Sequence, residues 1–440
     1  MTNPASIAAS RVLEILSGHI LADGFDMVLD LRKSQGRRLV DARDGTAFLD
    51  MFGFFASSAL GMNHPALAQD EGFRTELAAA AVNKPSNSDI YTVEMARFVE
   101  TFARVLGDPA LPHLFFIDGG ALAVENALKV AFDWKSRHNA MHGRGAELGT
   151  KVLHLTGAFH GRTGYTMSLT NTDPIKTDRF PKFDWPRIDT PYLCPGIDIE
   201  AAESRALAQA RAAFAENPHD IACFIAEPIQ GEGGDRHLRP EFLRRMQRLC
   251  HDNDALFILD EVQTGVAMTG SLWAYRQLGL QPDVVAFGKK TQVCGIMAGG
   301  RVDEVPGNVF EVSSRLNSTW GGNLTDMVRA RRILEVIESD RLADRAAELG
   351  ELLLARLREL AGRYGELTDP RGRGLMCAVT VESAELRDAV LTEAREREHV
   401  LLIGSGERGI RFRPPLTVTA AELEEAVAAL DRVLARLRNR

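Results

Sequence analysis

The sequence predicts an α/β fold: a large domain built on a mostly parallel sheet, with a smaller α+β domain made from both chain ends. Three observations carry this. Short, continuous apolar runs recur through the middle of the chain, helical patterns lie between several of them, and the texture changes after about residue 325. Strands buried on both faces read as unbroken apolar runs, and their alternation with helices is the mark of a covered parallel sheet.

Residues 1–85 combine a short N-terminal helix with strand-like pieces in RRLVDARDGTAFLDMFG, and are read as the first part of the small domain. The large domain spans 86–325. Its apolar runs are HLFFID (113–118), KVLHLTGAF (151–159), IACFIAEPI (221–229), ALFILDEV (255–262), DVVAFGK (283–289) and IMAGGRV (296–302). Helical patterns such as ALAVENALKVAFDWKSRH and PEFLRRMQRLCHDN separate them. Residues 326–440 return to the small domain. The stretch 325–365 carries apolar residues at helical spacing and predicts one connecting helix, with Gly350 interrupting any heptad reading. A strand-like GLMCAVTVE, a hairpin-like VLLIGSGERGIRFRP and a last helix follow, the helix opened by a Thr419–Glu422 capping box.

With 440 residues, 45% of them hydrophobic, the chain can bury a large core. A net charge of -8 argues against nucleic acid as a partner. The five cysteines are scattered with no C-x-x-C pair, and the eleven histidines show no metal-binding spacing, so neither a disulfide framework nor a metal site is expected. No apolar run reaches the roughly 18 residues a membrane helix needs. The expected location is the cytoplasm.

In an open α/β sheet, ligands sit beyond the carboxyl ends of the strands. Several chemically capable residues fall there: Asp260–Glu261, Glu227, Phe159-His160-Gly161-Arg162, the pair Lys289–Lys290, and Gly119-Gly120-Ala121 opening a helix. Each alone is more simply a cap, a turn or a core hydrogen bond. Their convergence on one sheet edge is what points to a site. A phosphate loop ending in GKK is excluded, because the glycine required five residues upstream is Asp283 and the residue after Lys289 is lysine. GEGGDR (231–236) likewise lacks dinucleotide-loop spacing. The amides of Gly120 and Ala121 at a helix N-terminus suit a phosphate. Asp260 suits a pyridinium nitrogen, Phe159 a ring face, and a desolvated lysine an aldehyde. Those are the four handles of pyridoxal 5′-phosphate.

The segments GGALAVENALK (119–129), GAFHGRTG (157–164), AEPIQGEGG (226–234), ILDEVQTG (258–265), PDVVAFGKK (282–290) and STWGGN (318–323) make the chain resemble the class III aminotransferases. That resemblance implies a fold-type I pyridoxal-phosphate transferase, homodimeric, with its active sites at the subunit interface. SALGMNHP (58–65), NKPSNSDIY (83–91), FDWKSRH (132–138), TNTDPIKTDRFPKFDWPRI (170–188), KKTQVCG (289–295) and RFRPPLT (411–417) narrow it to the lysine-specific branch. This branch moves the ε-amino group of L-lysine to 2-oxoglutarate, giving L-glutamate and a 2-aminoadipate semialdehyde that cyclises. One departure is Ala267-Met268, where many members have Gly-Arg.

Carried over, the resemblance makes Lys289 the Schiff-base lysine and leaves Lys290 a structural or surface role. It gives the phosphate to Gly120 and Ala121, with Ser318 and Thr319 reaching in from the partner subunit. Phe159 stacks on the ring, Asp260 holds its nitrogen, and Gln263 lies near its phenolic oxygen. Arg162 takes a substrate carboxylate, Arg411 takes the α-carboxylate of glutamate or 2-oxoglutarate, and Glu232 masks Arg411 when lysine is bound. Phe54, Phe55 and Asn317 are candidate pocket-lining residues. Open alternatives are an ornithine or 4-aminobutyrate donor, a non-catalytic member, and a lyase or racemase on the same fold.

Overall fold

The structure, a computed structural model, describes residues 7–439. Its centre is a seven-stranded sheet in the order His113–Ile117, Cys294–Ala298, Val284–Phe287, Leu256–Asp260, Ile221–Ala226, Lys151–Leu155, Arg187–Ile188. All six apolar runs thus become neighbours in one sheet, as the fold class requires. Neighbours pair in parallel except around Cys294–Ala298, which runs against both of its partners. The exception has a local cause. Only residues 288–293 join Val284–Phe287 to Cys294–Ala298, and so short a link permits only an antiparallel return.

Both faces are covered. Val124, Ala127, Leu128 and Ala131 of helix Gly120–Met141 pack on Ile258, Ala286 and Ile296. The opposite face buries Phe224, Phe257, Leu259, Val285 and Phe287 against Phe98, Phe102 and Met327.

The chain ends meet in the smaller sheets. Arg38–Val40 and Ala47–Asp50 form an antiparallel pair, and Val400–Leu401 adds in parallel with Val400 opposite Leu49. A four-stranded sheet orders Leu367–Arg373, Met376–Val381, Gly409–Phe412 and Ile403–Ser405. The predicted hairpin is the antiparallel pairing of the last two. The capping box opens helix Ala420–Arg438 with both reciprocal bonds made. At the N-terminus the short helix is Val12–Ser17; residues 1–6 lie outside those described.

Two local readings need correction. The stretch 325–365 is not one helix but two, Leu324–Ser339 and Leu342–Arg363, broken where Arg341 takes a left-handed φ of 51°. Gly350 lies inside the second helix, and a Cβ there would meet Gly374 O at 2.1 Å, so it is a point of backbone contact and not an interruption. Leu367–Arg373 escaped the strand pattern because it contains Pro370. The register shifts between Thr368 and Arg371, which takes the proline out of the ladder.

One turn is of unusual hand. Gly53, Phe54, Phe55 and Ala56 have φ of 55°, 49°, 57° and 66°, a single left-handed turn. Asp50 starts it by accepting from Phe52 N (2.9 Å) and Gly53 N (2.6 Å) with one carboxyl oxygen. Its other oxygen is buried without a partner, and burial pushes the carboxyl up to about 6. Gly53 is required twice over, since a Cβ there would also sit 2.2 Å from Arg413 O. Among the described residues, no helix is long and apolar enough to cross a membrane.

Candidate active site

The carboxyl ends of the central strands open into a cavity of about 490 Å³. It is lined by Gly120, Ala121, Phe159, Arg162, Glu232, Asp260, Gln263, Lys289, Arg411 and Phe55, which are ten of the residues singled out from sequence. Asn317, Ser318 and Thr319 are not among the lining residues of the chain that carries them. They belong to residues 311–320, a largely exposed stretch. Phe54 faces a separate hollow beside Leu60, Gln292 and Arg329.

Lys289 sits in the short link between antiparallel strands with φ of 54°, a left-handed residue following Gly288. Burial lowers its amine pKa below the ordinary lysine value; Arg411 acts in the same direction and Asp260 opposes. A larger share of free amine follows, which is what an aldehyde-trapping nucleophile needs. Lys290 is fully buried, which removes the surface role. Its Nζ donates to Ala56 O (3.2 Å) and Gln263 O (3.1 Å), tying the left-handed turn to the cavity wall.

Asp260 ends its strand 5% exposed. Its Oδ1 accepts from Val262 N at 3.0 Å, and its Oδ2 lies 2.8 Å from His160 Nδ1. An ionised carboxylate can only accept, so Nδ1 carries the proton. Burial draws the imidazole pKa down, but the Asp260 carboxylate more than compensates and the net shift is upward. Glu227 accepts from Phe159 N and Gly231 N, both at 3.0 Å, fixing the turn that presents the Phe159 ring. Burial pushes the Glu227 carboxyl up to about 7.

At the far side, Arg411 Nη2 donates to Glu232 Oε2 at 2.9 Å, and Lys176 Nζ donates to Glu232 Oε1 at 2.6 Å. Burial pushes the Glu232 carboxyl up, yet Arg411 and Lys176 together hold it below its usual value. Behind this pair, Arg413 is fully buried. Its Nε donates to Gln263 Oε1 at 2.9 Å, its Nη1 to Phe412 O at 2.8 Å, and its Nη2 to Asp235.

His160 as the partner of Asp260, and Lys176, Asp235 and Arg413, were not assigned from sequence. One signal was available: Arg411 and Arg413 are two apart on an extended segment, so they share a face. The others depend on contacts distant in sequence.

The donor set fits pyridoxal phosphate. The first-turn amides of the 22-residue helix Gly120–Met141 have no acceptors within the helix, and they face the same cavity as a buried carboxylate, a phenyl ring and a desolvated amine.

The class III aminotransferase family matches residues 21–434. The chain belongs to that family. Like other class III aminotransferases it is a pyridoxal-phosphate-dependent transaminase with a fold-type I architecture. It is 64% identical over 428 residues to an L-lysine-epsilon aminotransferase of Mycobacterium bovis, covering 96% of this chain and 95% of that one. It is 58% identical to the enzyme of the same description from Amycolatopsis lactamdurans, covering 98% and 97%. The solved structure of a lysine aminotransferase from M. tuberculosis superposes with a TM-score of 0.97 at 63% identity, over 98% of this chain and all of that one.

Proposed function

We propose that this class III aminotransferase transfers the ε-amino group of L-lysine to 2-oxoglutarate, giving L-glutamate and 2-aminoadipate 6-semialdehyde. The observation that carries the reading is Arg411 paired with Glu232 at 2.9 Å in the cavity that also holds Lys289, Asp260 and Arg162. The family resemblance and the identity to L-lysine-epsilon aminotransferases support it.

The two substrates make opposite demands on one site. Lysine brings an amine on an uncharged methylene with its carboxylate at the distant end, whereas glutamate brings a carboxylate beside the reacting amine. With Arg411 neutralised by Glu232, the near end of the cavity accepts methylene, and Arg162 takes lysine's distant carboxylate. When Glu232 leaves, Arg411 and Arg162 hold both ends of a dicarboxylate through charge-assisted bonds.

Pyridoxal phosphate, when bound, supplies an electrophilic carbon and an electron-withdrawing ring. Gly120 and Ala121 would hold its phosphate and Phe159 would cover the ring. Asp260, fixed by His160, would hold the ring nitrogen. Gln263, oriented by Arg413, would meet the phenolic oxygen. Lys289 Nζ would hold the group's aldehyde carbon and would serve as the base and acid for the proton at the amine-bearing carbon of the substrate.

The reading extends to a cytoplasmic homodimer in which the partner's loop 311–320 brings Asn317, Ser318 and Thr319 to this cavity. Trp320, the last residue of that loop and 44% exposed, supports such an interface. The division into 86–325 and a small domain from 1–85 and 326–440 belongs to the same reading.

The test is incubation of the loaded enzyme with 2-oxoglutarate and lysine, ornithine or 4-aminobutyrate, following glutamate and the cyclised semialdehyde. Formation of both from lysine, with little glutamate from the other donors, is expected. Equal glutamate from ornithine or 4-aminobutyrate would refute the donor assignment.

A further inference from the structure

Glu232 is held from two sides by unlike cations. Arg411, whose side chain is 3% exposed, takes one oxygen; Lys176, 22% exposed, takes the other. Lys176 ends the single turn Pro174–Lys176, which Asp173 caps by accepting from Ile175 N. Its amine also donates to Thr172 Oγ1 at 3.3 Å and lies 5.7 Å from the Phe159 ring centroid. The carboxylate is therefore shared between a deep arginine that faces substrate and a shallower lysine on a neighbouring loop.

That sharing bears on the exchange described above. If Arg411 alone held Glu232, an incoming dicarboxylate would have to expel a bare carboxylate into a partly apolar cavity, and an unpaired charge there is costly. With Lys176 present, Glu232 can give up one partner and keep the other. The lysine is worth most when Arg411 has been taken, because it is then the remaining cation of the pair.

We propose that Lys176 is a positioning residue that retains Glu232 when a substrate carboxylate displaces it from Arg411, and so sets how readily the site accepts a dicarboxylate. This rests on the two-position reading of Glu232. It assigns to the loop 172–176 a part in choosing between the two half-reactions, exercised on Glu232 and not on substrate.

The test is a double-mutant cycle on the loaded enzyme, read by calorimetric affinity for glutarate, a dicarboxylate with no amine or keto group to react. Lys176→Met should weaken glutarate about fivefold, the scale of a partly exposed ion pair. Lys176→Arg, which keeps the charge, should stay within about twofold. In a Glu232→Gln background the Lys176→Met change should also fall within about twofold, since the carboxylate it acts through is gone. A fivefold penalty that persists in that background would mean that Lys176 binds substrate directly, overturning the inference. Glutarate unaffected by Lys176→Met but tightened by Glu232→Gln would overturn the Lys176 inference alone. If Glu232→Gln changes neither glutarate affinity nor the ratio of lysine to glutamate single-turnover rates, the two-position reading itself falls.

Discussion

Replacing Arg413 by methionine tests whether the buried pair behind the cavity holds the site together. Arg413 and Asp235 have side-chain exposures of 0% and 1%, so solvent screens neither. The substitution removes the cation bonded to Asp235 and leaves Arg411 and Arg371 acting only at longer range, and breaking one side of such a pair costs about 3–5 kcal/mol. Adding Asp235→Leu removes the stranded charge, and the double variant should recover most of that loss. The deficit should depend on pH. Burial alone raises the Asp235 carboxyl, but Arg413 holds it below the usual range in the native protein. In the native protein its contribution to stability is therefore present above pH 3.8, the unfolded value, and lost as pH falls through the folded one. Without Arg413 the opposition to burial weakens, the carboxyl rises from its native value, and that contribution shrinks. The gap between the proteins should accordingly widen as pH rises above Asp235's native value and close as pH falls below it. Urea unfolding followed by tryptophan fluorescence and circular dichroism measures this. The reasoning fails if Arg413→Met costs less than about 1 kcal/mol, or if the double variant is less stable than the single one.

The two adjacent lysines should separate by assay. Lys289→Ala should abolish turnover, whereas Lys290→Ala should chiefly lower the melting temperature by stranding Ala56 O and Gln263 O, at about 1–3 kcal/mol each; an active Lys289→Ala with an inactive Lys290→Ala would reverse the assignment. Asp50 has its carboxyl raised from 3.8 to about 6, so its proton favours the folded state. Stability should fall by about 3 kcal/mol between those two pH values and then level, and Asp50→Asn should flatten that slope in urea midpoints. Gly350→Ala should cost about 1–3 kcal/mol by driving a methyl into Gly374. In the same helix Gly362→Ala, with nothing within 4 Å of its Cβ, should gain roughly 0.5–1 kcal/mol.

What the sequence revealed follows a physical division. Apolar runs disclosed the central strands because burial on both faces demands them, and residues at strand ends such as Asp260 and Lys289 could be placed on a common edge. The reversed direction of Cys294–Ala298 was also implicit, in the shortness of the 288–293 link. Contacts between distant segments were not legible. Nothing local in TNTDPIKTDRF says that Lys176 meets Glu232, and nothing near Asp235 says that it meets Arg413, 178 residues away. Lys290 shows the same limit. A lysine after an apolar strand suggests solvent, and only the fold reveals two backbone carbonyls waiting for its amine.

The left-handed turn at Gly53–Ala56 bears on how this protein can be altered. Phe54, Phe55 and Ala56 each occupy a backbone conformation that costs an L-residue roughly 1–2 kcal/mol. Glycine at 54 or 55 would relieve that cost, and asparagine part of it, yet Phe55 presents its ring to the cavity. A library screened for heat resistance alone should therefore drift toward glycine and asparagine at these two positions. A library screened for turnover should keep the ring at 55 and find its stability elsewhere. The turn marks where durability and chemistry draw on the same backbone.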